Sequence, residues 1–298
     1  MQPFVATARG RQAVPPAGRA RLAVRTWPAA APPDRQDPDP GRAARPALFL
    51  CHGRTDSAEV FDPVVRALGG RWSAVAADAP GHGGSAWRPS WRYRIAPQAE
   101  PLRSVLDRLP GLLPPFTGIV VHGHSMGALT ATRLAAARPG QVRHLVLEEP
   151  ATGGPWPSRA LRARDFAAER RLLFWARRLR RLPDAELAAG AREHNPGWSD
   201  EEIRLWGEAK RQMSLAAVAA PMAWGTPLID LLDGVGCPVT LVRGSVGADV
   251  VDAATARRLA ARCRGGCEIV TLATGHNVRR DDAAGFVTVL REVLGRYG

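Results

Sequence analysis

Residues 123–127 read Gly-His-Ser-Met-Gly, two glycines placed symmetrically around a single serine. A short β-branched run, IVV, precedes them and an Ala/Leu-rich stretch follows, so a strand must turn sharply into a helix at Ser125. At such an elbow the central residue takes a strained backbone conformation, and the residues two before and two after pass so closely that only small side chains fit. Gly123 and Gly127 meet that demand. The turn would hold the hydroxyl clear of the sheet at a helix N-terminus, where backbone N–H groups favour developing negative charge. A serine held in that way can attack a carbonyl carbon.

A serine hydroxyl needs a base, and the base needs an orienting acid. His276, in LATGHNV directly after the last apolar run, is the expected base, because catalytic groups gather at the loops on that strand edge. The other histidines have plainer places: His52 and His82 in turns, His144 at the start of a strand, His194 in a helical stretch. His122 and His124 are too near Ser125 in sequence to reach back easily. Asp249, in GSVGADVV, gives the chain order Ser, Asp, His and is the preferred acid. Glu149, beside Glu148 in LVLEEP, is the alternative, since a buried carboxylate there is costly without a partner. Gly53, after LFLCH, would let the backbone N–H of Arg54 point into the same pocket as that of Met126, giving two donors for an oxyanion. His124, Trp156 and Trp175 are the candidate substrate contacts.

These residues must be gathered by the elements around them. Short, almost wholly apolar runs at 47–51, 73–77, 119–121, 144–148, 239–243 and 268–272 read as strands buried on both faces. Helical patterns at 57–68, 97–109, 126–137, 252–263 and 283–297 alternate with them, which predicts a parallel sheet with crossover helices. Between 152 and 232 the alternation breaks. That stretch carries amphipathic helices, one around 160–182 and one opened by Ser199 and Glu202 at capping-box spacing, and reads as an inserted helical cap. Residues 1–46 form an Arg/Pro-rich N-terminal segment in which RARLAVRTW could be an early antiparallel strand. The core is then 47–151 with 233–298, and the cap is 152–232.

The net charge is +13 over 298 residues, but the excess is spread along the chain and is almost entirely arginine, Lys210 being the sole lysine. This distribution, with abundant Ala, Gly and Pro, reads as composition, so nucleic acid is not the expected partner. Cys51, Cys237, Cys263 and Cys267 form no CxxC pair and no zinc-spaced set, so no metal is expected; Cys263 and Cys267 bracket RGG and could bridge that turn, but reduced thiols are expected because no export signal is read at the N-terminus. No apolar run reaches the length of a membrane span and the N-terminus has no h-region, so a cytoplasmic location is expected. Oligomeric state leaves no signal in these features.

Taken in order, HG after an early strand, DAPGHGGS at 78–85, GHSMGA at the elbow, an acid after a later strand and GH near the C-terminus make the chain resemble the α/β-hydrolase fold family over residues 47–298. The resemblance implies a doubly wound, mostly parallel sheet with an inserted helical cap. It also implies Ser125 as nucleophile, Asp249 as acid, His276 as base, and Met126 and Arg54 as amide donors. The expected activity is hydrolysis of an ester-like bond in a small or medium-sized, largely apolar substrate through an acyl-enzyme, without a cofactor. The same residues could serve a C–C bond hydrolase, a thioesterase or an acyltransferase, or a non-catalytic ligand-binding member of the fold.

Overall fold

The structure is a computed structural model that describes residues 11–14, 21–29, 45–85, 95–153, 159–220, 226–247 and 251–298. Eight strands form one sheet: β1 (Arg11–Val14), β2 (Leu22–Trp27), β3 (Ala47–Cys51), β4 (Ala74–Ala77), β5 (Ile119–His124), β6 (Val142–Glu148), β7 (Val239–Gly244) and β8 (Cys267–Leu272). Their order is β1-β2-β4-β3-β5-β6-β7-β8. From β4 across to β8 every neighbouring pair is parallel, while β2 runs antiparallel to β4. The alternating RARLAVRTW stretch therefore supplies β2, and β1 extends the sheet beyond it.

Two apolar layers close on this sheet because successive side chains of a strand point to opposite faces. Phe49 and Cys51 of β3 pack on one side with α2 (Ile95–Leu106), α3 (Leu109–Leu112) and α4 (Met126–Ala137). Leu48 and Leu50 of the same strand pack on the other side, with α1 (Asp62–Ala67) and the C-terminal helix. β3 has no exposed face, which is why its sequence reads as an unbroken apolar run.

Between β6 and β7 lies the insertion: α5 (Arg159–Leu179), α6 (Asp184–His194), α7 (Asp200–Gln212), α8 (Leu215–Ala219) and α9 (Leu228–Leu231), with no strand among its described residues. Ser199 caps α7 by accepting a hydrogen bond from the Glu202 N–H at 3.2 Å. The chain then returns to the sheet through α10 (Ala253–Ala260), α11 (Val278–Asp281) and α12 (Ala283–Gly295). Asp252 and Asp282 cap α10 and α12 with their carboxylates. Among the described residues no helix is long and apolar enough to cross a membrane.

Candidate active site

Ser125 sits between β5 and α4 with φ 53° and ψ −116°, a left-handed conformation that costs a non-glycine residue energy and persists only where its surroundings enforce it. The enforcement is visible. Its N–H donates to the Glu148 carbonyl at 3.0 Å, and its own carbonyl accepts from Ala128 at 3.0 Å and Ala151 at 3.1 Å. A Cβ on Gly123 would run into the Gly127 carbonyl, and one on Gly127 into the Cys51 carbonyl, so both positions require glycine. Met126 opens α4 and its N–H has no acceptor within the helix.

The strand end opposite is held just as firmly. The Gly53 carbonyl accepts from Asp56 N–H at 3.1 Å and from His52 Nδ1 at 2.8 Å, while His52 Nε2 accepts from Ala79 N–H at 2.9 Å. Fixing that carbonyl fixes the planar Gly53–Arg54 peptide, so the Arg54 N–H points the other way. The Arg54 side chain is buried and donates to the carbonyls of Val218 and Ala220, tying this loop to the insertion.

His276 lines the same cavity as Ser125, half-buried, with Nδ1 3.4 Å from Glu149 Oε2. Glu149 is itself strained, at φ 40°, and fully buried; its N–H donates to Val242 at 2.8 Å and its Oε1 accepts from Gly244 N–H at 2.8 Å. Among the described residues the carboxylate in contact with the histidine is Glu149, directly after β6. Asp249, the acid preferred from sequence, lies outside the described residues, as does Trp156. The two positions competed because β6 and β7 are neighbours, paired from Leu145↔Val239 to Glu148↔Val242, and both release their loops at the same edge.

His124 plays two parts. It lines the cavity, yet its Nε2 donates to the His276 carbonyl at 2.9 Å and its ring lies 4.8 Å from the His276 ring. Burial holds His124 well below the usual histidine range, and the nearby Arg279 charge adds to this, so the imidazole is neutral.

Beneath the cavity runs a chain of buried ions with no periodic signature in the sequence. Arg279 donates to Glu148 at 3.3 Å and to Asp56 at 2.7 Å, Arg280 to Asp56 at 3.2 Å and Glu202 at 3.1 Å, and Lys210 to Asp56 at 3.2 Å and the Thr55 carbonyl at 2.8 Å. Burial alone would raise the Asp56 carboxyl, but Arg280, Lys210 and Arg279 override it and hold it well below the usual range. Glu148 follows the same logic under Arg279. Burial pushes Lys210 down to about 8 despite Asp56. Asp56, Glu148 and Glu202 with Arg279, Arg280 and Lys210 join the Arg54 loop, the β6 end, the His276 loop and α7, the four segments that meet at this cavity.

The cavity holds about 600 Å³. Its far wall is apolar, with Leu172, Trp175, Leu179 and Leu187 of the insertion, and a row of edge-on indoles in which Trp206 lies 6.3 Å from Trp175 and 6.5 Å from Trp198. Polar groups lie at the serine end, on the floor made by Asp56, Lys210 and Arg280, and on the insertion, which adds Arg178, Glu186, His194 and Asn195. Among the described residues no group of three or more His, Cys, Asp or Glu could hold a metal ion.

Sheet order, elbow and insertion point are together those of the doubly wound α/β-hydrolase fold. The sequence agrees: residues 48–289 match the alpha/beta hydrolase family, to which the chain belongs. Over 276 residues it is 31% identical to esterase Rv0045c of Mycobacterium tuberculosis, covering 84% of this chain and 83% of that protein. Among solved structures it resembles E-2-(acetamidomethylene)succinate hydrolase, with TM-score 0.72 and 22% identity over 97% of this chain and 100% of the other. A thioesterase domain from the curacin biosynthetic pathway aligns with TM-score 0.70 and 20% identity, over 96% of this chain and 100% of that one. These two structural likenesses bear on the fold, and the family match with the esterase relative makes the chain a hydrolase.

Proposed function

We propose that the protein is a serine hydrolase that cleaves an ester-like bond through an acyl-enzyme, with Ser125 as nucleophile, His276 as base and Glu149 as the acid that orients it. The observation that carries this reading is the strained serine at φ 53°, sharing its cavity with a histidine that contacts a buried carboxylate. In the first half-reaction His276 takes the Ser125 proton as the hydroxyl attacks the substrate carbonyl, and returns it to the leaving alkoxide. In the second, water attacks the acyl group by the same route. The N–H groups of Met126 and Arg54 are the donors proposed for the tetrahedral oxyanion; loss of one such donor typically costs about 3 kcal/mol of transition-state stabilisation.

The insertion serves as a cap over the site, and its apolar wall suits an acyl or alcohol chain of moderate length. The small-molecule character of the substrate follows from the cavity's size. The core and cap boundaries proposed are 47–151 with 233–298, and 152–232, with β1 and β2 of the N-terminal segment completing the core sheet at its edge. Turnover of p-nitrophenyl butyrate tests the reading: Ser125→Ala should lower kcat by at least about a thousandfold with an unchanged far-UV spectrum. Retention of most activity in that variant would remove Ser125 from the chemistry.

A further inference from the structure

The outer face of α5 is built unlike any other exposed surface among the described residues. Phe174 stands 72% exposed, the most exposed large apolar side chain described. Its four helix neighbours at i−4, i−3, i+3 and i+4 are Arg170, Arg171, Arg177 and Arg178, all exposed, and Arg181 follows at i+7. Residues 170–181 contain no acid. Among the described residues Arg171, Arg177, Arg178 and Arg181 enter no ion pair, while Arg170 has a partner and other exposed arginines, such as Arg66, Arg192, Arg204 and Arg262, find a carboxylate. Like charges crowded at these spacings destabilise a helix unless an anion lies against them.

We propose that this face docks on an anionic lipid surface, with Phe174 entering the boundary between headgroups and acyl chains and the surrounding guanidiniums on lipid phosphates. A bilayer is favoured over an acidic protein by this arrangement. The apolar element is one exposed ring encircled by guanidiniums, with Trp175 and Arg178 marking where this face meets the cavity rim. A fluid interface needs no complementary surface, and an amphipathic basic helix with an aromatic wedge is the form that binds one. The opposite side of α5 lines the cavity with Leu172 and Leu179, so docking would bring the cavity to the membrane surface, where acyl compounds dissolve.

The test is cosedimentation of the full chain with phosphatidylcholine vesicles, with and without phosphatidylglycerol, at low salt. Binding should require phosphatidylglycerol and weaken with salt. Phe174→Ser, which leaves the charge unchanged, should weaken it about tenfold, and Arg171→Glu with Arg177→Glu should abolish it. Arg257→Glu with Arg258→Glu, an equal charge change at exposed positions of α10, should leave most of it. Ser125→Ala should bind like the wild type, and Phe174→Ser should turn over p-nitrophenyl butyrate normally, so docking and hydrolysis succeed or fail separately. No preference for phosphatidylglycerol, undiminished binding by Phe174→Ser, or equal loss in the α10 control would each overturn the proposal. Retention on polyglutamate without vesicle binding would overturn it in favour of an acidic protein.

Discussion

At the scale of single residues, Glu149 carries the sharpest consequence. A buried carboxylate in a left-handed conformation, bonded to the Gly244 N–H and set against His276, has its freedom removed in advance, as an orienting acid requires. Glu149→Gln should therefore lower kcat about a thousandfold or more, while Asp249→Asn should stay within a few fold of wild type. Steady-state kinetics on one soluble ester distinguishes them, and the reverse ranking would return the acid to the loop after β7. The sequence order Ser, acid, His is satisfied by either residue, so residue types alone could not choose. The choice lies in a backbone angle and a strand pairing, neither of which a local pattern encodes.

At the scale of elements, the ions beneath the cavity decide how firmly the site is held. Arg279 is fully buried and bridges Glu148 at the end of β6 to Asp56 beyond β3. Arg279→Met would leave two buried carboxylates short of a partner, at a cost of about 3–5 kcal/mol, read from urea denaturation. A change within about 0.5 kcal/mol would show that the network is not coupled to folding. Lys210 shows how selective this region is: in a chain that otherwise uses arginine, the sole lysine is buried where a compact ammonium fits between Asp56, the Thr55 carbonyl and the Trp206 ring. The strands were legible because burial on both faces writes an apolar run, and the elbow because close backbone approach forces Gly123 and Gly127. The ion network was not, since its members are scattered from Asp56 to Arg280. Helix α6 was also hard to read, because AELAAGAREH carries little apolar periodicity to mark it.

At the scale of the whole molecule, buried neutral histidines set the acid limit of stability. His144 is enclosed between the hydroxyls of Thr240, at 2.9 Å, and Tyr297, at 3.1 Å, and burial lowers it from 6.5 to about 4. Both states hold it neutral above pH 6.5. Below that the unfolded chain takes up the proton first, so stability falls from about pH 6.5 down to about 4, by about 1.4 kcal/mol per pH unit for this one group. His144→Gln should flatten that limb in a series of urea titrations, and an unchanged slope would assign the acid sensitivity elsewhere. The charge of +13 belongs to this scale too: most of it is dispersed, as the sequence suggested, but on α5 it gathers around one exposed ring, a local arrangement that a total cannot reveal.

The central claim, that folding delivers an activated hydroxyl at residue 125 and at no other serine, is tested most directly by covalent trapping. The intact protein is treated with a fluorophosphonate, digested, and the adduct located by mass spectrometry. The account predicts a single modified peptide, spanning Ser125, and its disappearance in His276→Ala. Labelling at another residue, or none in a folded and otherwise active preparation, would contradict it.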